Sequence, residues 1–339
     1  MGGTGVSAGD LQTAERGLGG TGIVGVITGF ASICINNVEV AYDTETPVFI
    51  DGRQASVDRL RAGQVAAIDS IGDQELRARK VSIIYQVSGR IDALSNTSEY
   101  GVSGQHIRLA ESAKLPADAP LRPGDWVNVS GFRSQDGTIS VTRIDRRSPG
   151  QVVVRGRLTG VPGNYRIGDL PVRLPPGADV AAGQWVVAEG SYDNNGVLVA
   201  GTINPDLVAS DPTTFFAPNV TRFLIEGYME PINGRIVSGS GWSVPTAPQP
   251  GVGTSAGRLS VIDVQRAPDG TLSTSGFRAS PPLGIPGRPP GIGVPQEPLS
   301  GTPPFGGSPA GPTGGFVRTM PGGLPGAGGI PMGGGHPGH

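Results

Sequence analysis

The chain has 339 residues, of which 37% are hydrophobic, 5% are aromatic and 16% are charged, with a formal net charge of −2. This length suits two to four small domains, and the scarcity of aromatic residues predicts small aliphatic cores. The near balance of charge gives no electrostatic reason to expect nucleic acid or an anionic membrane surface as a partner. A single cysteine, Cys34, excludes an intrachain disulfide. No stretch approaches the roughly 18 apolar residues of a membrane helix.

The N-terminal segment, residues 1–18, is rich in glycine and small polar residues, and we expect it to be flexible. It lacks the basic and apolar regions of a signal peptide, so the sequence shows no export signal.

Four segments of similar length follow, and each opens on a strand-like run with a central glycine. These runs are IVGVITGF around Gly25, QVSGRIDAL around Gly89, VVRGRLTGV around Gly156 and LIEGYMEPI around Gly227. A glycine inside a strand is typical of a bulge or a sharp bend, which a strand needs when it curls into a small barrel. We therefore predict four modules, numbered in chain order: residues 19–85, 86–149, 150–208 and 219–282.

The first three modules also share a phrase in which Gly is followed by Gln or Asp and then by an apolar strand. The three copies are RAGQVAAIDS from Arg61, RPGDWVNVSG from Arg122 and AAGQWVVAEG from Ala181. The glycine is expected to end a turn, and the Gln or Asp is expected to start a barrel strand. Because Asn, Asp and Gly tolerate turn conformations, hairpin turns are predicted at Asn36-Asn37, Asp136-Gly137 and Asn195-Gly196. The run ASVDRLRAG from Ala55 is expected to form either one or two helical turns, with Ser56 as the cap and Gly63 as the stop, or a plain turn.

Each module thus holds about five short strands in roughly 65 residues, which is the size of a small OB-type barrel. The sequence predicts an all-β protein of tandem five-stranded OB-like Greek-key barrels. In the divergent module 4, the run VPTAPQPGVGTSAG, residues 244–257, is expected to replace the middle strand by a loop. Residues 283–339 are more than half Gly and Pro without the triplet period of collagen, so we predict a disordered tail.

No catalytic, cofactor-binding or metal-binding constellation is recognised in the sequence. His106 lies in a strand-like run, while His336 and His339 end the tail, and all three are interpreted as solvated side chains. Cys34 has no adjacent base and is interpreted as a structural thiol. GLGGTGIVG precedes a strand and lacks the Gly-Lys-Ser/Thr of a phosphate loop. Acidic residues in predicted turns are interpreted as caps of the local backbone: Asp43, Glu45, Asp193, Asp211 and Asp269.

Three tryptophans remain as possible binding residues. Trp126 and Trp185 share one position of the repeated phrase, and we interpret them as packing in barrel cores or in seams between modules. Trp242 lies in the polar run SGSGWSVP and is the candidate ligand-binding residue. Aromatic faces on a barrel can stack nucleobases or sugars.

The run GLGGTGIVGVITGF, the hairpin ICINNVEV and the run ASVDRLRAGQVAAI resemble a bacterial domain-of-unknown-function family of repeated small OB-like β modules. That family shows a Gly-Gly-Thr-Gly opening, a Gly-Phe strand and a Leu-x-x-Gly-Gln phrase. The resemblance covers residues 18–85 and, more loosely, 86–208. It implies a periplasmic or envelope-associated protein, although this chain has no lipobox cysteine and has Asn37 where the hairpin glycine is usual. It supplies no catalytic motif.

The leading hypothesis is a non-enzymatic modular binding or scaffold protein of the bacterial cell envelope, with a protein or polysaccharide partner. The alternative is OB-type binding of single-stranded nucleic acid or oligosaccharide on a barrel face. Nucleic-acid binders usually combine a basic groove with stacked aromatics, so no nucleic-acid partner is expected here. An enzyme assembled from several modules is a third hypothesis, which no paired motif supports.

Overall fold

A computed structural model describes residues 19–72, 75–94, 98–246 and 257–280. Nearly all regular structure in these ranges is β-strand, which confirms the predicted all-β class. The segment predicted to be flexible, 1–18, and the predicted tail, 283–339, lie outside the described residues. The helical segments of the described ranges have at most four residues each, so none of them could cross a membrane.

Module 1 forms seven strands: β1 (Gly20–Phe30), β2 (Ile33–Ile35), β3 (Val38–Ala41), β4 (Val48–Ile50), β5 (Arg53–Ala55), β6 (Val65–Ile71) and β7 (Leu76–Ile83). Strands β1, β2, β3, β7 and β6 pair in a ring in which β3 is parallel to β7 and the other neighbours are antiparallel. The β4–β5 hairpin is attached through β4, which is parallel to β7. The predicted helical turn is a single 3-10 turn, Val57–Arg59.

Modules 2 and 3 each form a closed five-stranded barrel. The strands of module 2 are β8 (Val87–Leu94), β9 (Glu99–Val102), β10 (Gln105–Lys114), β11 (Trp126–Arg133) and β12 (Ile139–Arg146). Those of module 3 are β13 (Val152–Val161), β14 (Asn164–Ile167), β15 (Leu170–Arg173), β16 (Trp185–Tyr192) and β17 (Leu198–Pro205). In each barrel, the first three strands pair in order, and the third strand pairs in parallel with the fifth. The fourth strand pairs with the fifth and with the first, which closes the barrel. All pairs other than the third with the fifth are antiparallel. The predicted five-stranded OB-like barrels are confirmed.

Module 4 follows a short α-helix, Leu207–Ser210, and a 3-10 turn, Pro212–Phe215. Its strands are β18 (Val220–Ile232), β19 (Arg235–Ser238), β20 (Ser243–Pro245), β21 (Arg258–Arg266) and β22 (Leu272–Ala279). A single parallel bridge, Thr246 to Thr274, joins the end of β20 to β22. The expectation that a loop begins at Val244 is wrong, because Val244 is fully buried and pairs with Ile236. Residues 247–256 of that run lie outside the described ranges.

The repeated phrase encodes a turn that hydrogen-bonds to itself. Its glycines all have positive φ: 91° at Gly63, 92° at Gly124 and 95° at Gly183. The next side chain accepts a hydrogen bond from the backbone N–H three residues earlier: Gln64 from Arg61 at 2.7 Å, Asp125 from Arg122 at 2.9 Å and Gln184 from Ala181 at 2.8 Å. Each glycine N–H also donates to the first strand of its own barrel, to Ile27, Ile91 or Leu158. The phrase therefore sets the position at which the fourth barrel strand starts.

The central glycines of the opening strands make room for a neighbouring hairpin. A Cβ at Gly25 would lie 2.2 Å from Oδ1 of Asn36, and one at Gly89 would lie 1.9 Å from Oγ of Ser103. Asn36 and Asn37 form the predicted hairpin turn with φ of 52° and 63°. Close packing, rather than the predicted bend alone, therefore explains glycine at these two positions. The other two predicted hairpins are also confirmed, with φ of 87° at Gly137 and 77° at Gly196.

The four modules pack together instead of forming a row of separate barrels. Strand β1 pairs in parallel with β18, so modules 1 and 4 share one sheet, and β8 pairs with β13, so modules 2 and 3 share another. The interiors of modules 2 and 3 form one continuous hydrophobic core. A buried hydrogen bond of 2.7 Å from Oγ1 of Thr142 to the carbonyl of Gly63 connects the two sheets. Surfaces that would be solvent-exposed on single barrels are thereby buried.

Candidate ligand-binding cleft

A polar cleft lies where modules 2, 3 and 4 meet, and we call it the junction cleft. It has a volume of about 490 Å³. Its walls come from the start of β10 and the β11–β12 turn, from β13 and the start of β16, and from the β19–β20 turn. A smaller cavity of about 90 Å³ adjoins it and shares Arg133, Trp185 and residues 238–240 with it. Concave spaces between packed domains are common ligand sites.

The module 4 wall of the cleft is held close to modules 2 and 3. A Cβ at Gly239 would lie only 2.9 Å from the carbonyl oxygen of Arg133, so the two backbones can approach only because residue 239 is glycine. Nε1 of Trp185 donates a hydrogen bond of 2.7 Å to the carbonyl of Ser240. The hydroxyls of Ser238 and Ser240 are 2.7 Å apart. These contacts fix the wall before any ligand enters.

Arg133 contributes a buried guanidinium to both the cleft and the adjoining cavity. Its Nη1 donates to the carbonyl of Gly137 at 2.6 Å. Its Nη2 donates to Oε1 of Gln105 at 3.1 Å and to the carbonyl of Arg155 at 2.7 Å. All three acceptors are neutral, and Nε is buried without a hydrogen-bond partner. Burial lowers the pKa of Arg133 to about 10, so the group is still a cation at neutral pH.

Strand β13 points a second guanidinium into the cleft. Arg157 is exposed, and its Nε donates to the carbonyl of Gly183 at 3.0 Å. Thr159 stands two residues further on the same face and also lines the cleft. His106 lies at the edge, where its Nε2 is 2.8 Å from Oδ2 of Asp169 and both side chains are well exposed.

Asp136 supplies negative charge to the β11–β12 turn. Hydrogen bonds from the Ser134 hydroxyl and the Thr138 backbone N–H hold the pKa of Asp136 below its usual value. The carboxylate is therefore ionised at neutral pH and caps its own turn. The cleft thus combines cationic and anionic groups with hydroxyls and one indole.

Arg155, two residues before Arg157, lies below the cleft in a buried ion-pair network. Its guanidinium is 3.1 Å from Asp206 and 3.5 Å from Asp51, and its Nε donates to the carbonyl of Tyr85 at 3.0 Å. Burial raises the pKa of Asp51, and the charge of Arg155 opposes that effect. This network joins module 1, module 3 and the helix that precedes module 4.

Glu226 lines the smaller cavity and is only 5% exposed. Its Oε2 accepts a hydrogen bond of 2.8 Å from the backbone N–H of Val26, and its Oε1 accepts one from the hydroxyl of Ser280. Burial raises the pKa of Glu226 to about 7, although these two hydrogen bonds and the charge of Arg278 act in the opposite direction. Glu226 therefore titrates near neutral pH at the boundary of modules 1 and 4.

The structure places the candidate residue Trp242 in the core of module 4, with 8% of its surface exposed, and along the smaller cavity. Trp126 and Trp185 are half-buried in seams between modules. The Trp126 ring lies 6.3 Å from that of Tyr192 in module 3, and Trp185 contacts module 4 as described above. Of the three tryptophans, Trp185 alone lines the junction cleft.

The remaining chemical candidates behave largely as predicted from the sequence. Cys34 is half-buried between the fully buried Ile33 and Ile35. Aspartates predicted to cap turns accept backbone hydrogen bonds there: Asp43, Asp193, Asp211 and Asp269. His336 and His339 lie outside the described residues. No cluster of three or more His, Cys, Asp or Glu suited to a metal occurs in the described ranges.

Arg133, Arg157 and Glu226 are site residues that were not predicted from the sequence. Glu226 carried a usable signal, because a carboxylate inside the apolar run FLIEGYM must be either buried or at a bend. Arg133 and Arg157 carried none, because arginine at the end or on the outer face of a strand is ordinary in a solvated barrel.

Residues 88–145 match a known family, described as a domain of unknown function, DUF5666. The matched range runs from β8 to β12 and so corresponds to module 2. A family of unknown function agrees with the general class of family that the sequence resembles. No curated protein and no solved structure matches the chain.

Proposed function

We propose that this protein is a non-enzymatic binding protein of the bacterial cell envelope and that its ligand occupies the junction cleft. The observation that carries the proposal is the cleft itself. Three modules contribute to it, and its walls are braced by the Trp185–Ser240 hydrogen bond and by the close approach at Gly239. A braced polar concavity suits ligand binding, because little ordering remains to be done when the ligand enters.

The groups that line the junction cleft favour binding over catalysis. Glu226 of the adjoining cavity has a pKa of about 7, but both of its carboxylate oxygens accept hydrogen bonds, from Val26 and Ser280. A general acid or base works best when its pKa is near the operating pH. The pKa of Asp136 is held low by hydrogen bonds within its own turn, which suits a structural cap. His106 is paired with an aspartate at the exposed edge. Of the cleft serines, Ser134 donates to the carboxylate of Asp136, whose low pKa makes it a weak base, and the hydroxyls of Ser238 and Ser240 bond each other, so these contacts do not activate a nucleophile.

The modular construction supports a scaffold that evolved by repetition of one unit. A bulge of one extra residue occurs in the last strand of every module, at Arg79, Thr142, Gly201 and Ser275. Bulges tend to be kept within families, so four bulges at one position favour four copies of one module. The envelope location follows from the family that residues 18–85 resemble.

Oligosaccharide fits the cleft better than single-stranded nucleic acid does. Nucleic-acid grooves present a run of cations with several stacking aromatics. The cleft instead combines Asp136 with two arginines, Arg133 and Arg157, and contains one indole, that of Trp185. Mixed charges, hydroxyls and a single aromatic are suited to a sugar ring.

A cosedimentation assay with insoluble bacterial envelope polysaccharide tests this function. Thr159→Trp would fill the cleft from β13, whereas Thr202→Trp places the same side chain on an exposed strand position of module 3 outside the cleft. We expect wild type and Thr202→Trp to sediment with the polysaccharide and Thr159→Trp to stay in solution. Undiminished sedimentation of Thr159→Trp would contradict the cleft assignment, and release of shortened sugar chains would contradict a non-enzymatic role.

A further inference from the structure

We infer that the junction cleft recognises a sugar that carries a carboxylate, with Arg133 and Arg157 as the groups that bind it. This inference rests on the proposed function and specifies the ligand class of the same site.

Arg133 makes no ion pair with any residue that the structure describes. Its three hydrogen bonds go to two backbone carbonyls and to the amide oxygen of Gln105, and its buried Nε has no partner. Buried charges in proteins are normally paired, because an uncompensated charge loses the solvation of water. The charge of Asp206 acts on Arg133 only from beyond ion-pair distance, and an anion in the cleft would provide a direct counter-charge.

Arg155 on β13 provides a contrast to Arg133 on β11. Arg155 is buried between two carboxylates, Asp51 and Asp206, so the fold does supply counter-ions where an arginine has only a structural role. Arg133 donates a hydrogen bond to the backbone carbonyl of Arg155. The guanidinium of Arg133, however, faces the cleft and forms no ion pair with a described carboxylate.

Arg157 provides a second cation at the same cleft. Within the described ranges it forms no ion pair, and a single hydrogen bond from Nε to Gly183 orients it. Its two terminal nitrogens therefore remain available in the fork geometry that matches a carboxylate. Arg133 and Arg157 both line the cleft, and both guanidinium groups are assigned to the carboxylate of the sugar.

The remaining lining suits the hydroxyl-bearing ring of an acidic sugar. The indole of Trp185 offers an apolar surface, and Ser238, Ser240 and Thr159 offer hydroxyls. The ionised Asp136 can accept hydrogen bonds from sugar hydroxyls, but it would repel a second anionic group close by. One carboxylate per binding position is thus favoured over the closely spaced phosphates of a nucleic acid.

Calorimetric titration with trigalacturonate and with its fully methyl-esterified form tests the inference, because the two differ only at the carboxyl groups, where an uncharged methyl ester replaces the carboxylate. We expect the acid to bind and the ester to bind at least about tenfold more weakly, since charge-assisted hydrogen bonds are lost. Arg157→Gln should weaken binding of the acid by about tenfold. Arg173→Gln is the matched control, because Arg173 is an exposed module 3 arginine that pairs with Asp193 outside the cleft.

Each other outcome overturns the inference in a distinguishable way. Equal binding of acid and ester that is lost in Thr159→Trp would retain the cleft and the proposed function but remove the role of charge. Absence of trigalacturonate binding would refute the acidic-sugar assignment. The cosedimentation assay would still test the proposed polysaccharide-binding function separately. If a dT10 oligonucleotide binds more tightly than trigalacturonate and its binding depends on Arg157, the ligand of the cleft is a nucleic acid and not a sugar. Arg133→Gln serves as a second variant only if its melting curve matches wild type, because Arg133 also braces modules 2 and 3.

Discussion

Substitution of Glu226 by glutamine should remove most of the pH dependence of stability near neutrality. Glu226 is buried at the boundary of modules 1 and 4, and burial raises its pKa from 4.5 to about 7. In the unfolded chain the same carboxyl is exposed and has its ordinary pKa. Between these two pKa values the folded protein binds a proton that the unfolded chain does not bind.

This difference sets both the sign and the size of the effect. Because the folded state holds the extra proton, the contribution of Glu226 to stability is most favourable below pH 4.5 and is lost as the pH rises towards 7. At about 1.4 kcal/mol per pKa unit, the full loss above pH 7 is about 3 kcal/mol. A glutamine has no charge to desolvate, and its carbonyl can still accept the hydrogen bond from Val26.

Urea unfolding followed by tryptophan fluorescence at pH 5, 6, 7 and 8 measures the effect. We expect wild type to lose stability across this range and Glu226→Gln to be more stable than wild type at pH 8 by about 2–3 kcal/mol. At pH 5 the difference should shrink to less than about 1 kcal/mol. Glu230→Gln is the matched control, since Glu230 lies on the same strand and hydrogen-bonds to the exposed Gln135. Parallel curves for wild type and Glu226→Gln would refute the assignment of a buried, neutral carboxyl.

Four further predictions concern stability and are checked by thermal denaturation. Gly25→Ala should cost about 1–3 kcal/mol, because the new Cβ would lie 2.2 Å from the side chain of Asn36. The control Gly227→Ala should melt like wild type, because its nearest neighbour would lie at 3.5 Å. Equal melting temperatures of the two variants would contradict the packing argument. Arg155→Met should cost about 3–5 kcal/mol because it leaves two buried carboxylates unpaired; a melting temperature within about 2 °C of wild type would argue against it. Trp126→Ala should cost about 1–3 kcal/mol, which is less than the cost for a fully buried tryptophan. An unchanged melting temperature would indicate that the Trp126 ring is exposed to solvent. Deletion of residues 283–339 should leave the melting transition unchanged, and a large drop would show that this segment packs on the modules.

Local signals were sufficient to predict the barrels. Alternating apolar residues, Asn-Asn, Asp-Gly and Asn-Gly turns, and the repeated Gly-Gln/Asp phrase all act within a few residues of chain. The turn at Gln64 illustrates this, since its side chain bonds a backbone N–H only three residues away. Interactions of this range depend on residue type and spacing, so they can be inferred from a single sequence.

The assembly of the modules was not predictable in the same way. The bond between Glu226 and Val26 spans 200 residues, and the one between Arg155 and Asp206 spans 51. The strand pattern does not predict which outer faces of the barrels come into contact. A side chain that points away from a barrel core has the same sequence pattern whether solvent or another barrel covers it.

Arg155 and Arg157 illustrate which properties the sequence determines and which depend on the tertiary structure. Both lie on one face of β13, and the sequence determines that both point away from the barrel interior. Only the packing of the four modules decides that Arg155 is buried between two carboxylates and that Arg157 opens into a cleft. The physical reason is that solvation and counter-charge, unlike turn geometry, are set by groups that are distant along the chain.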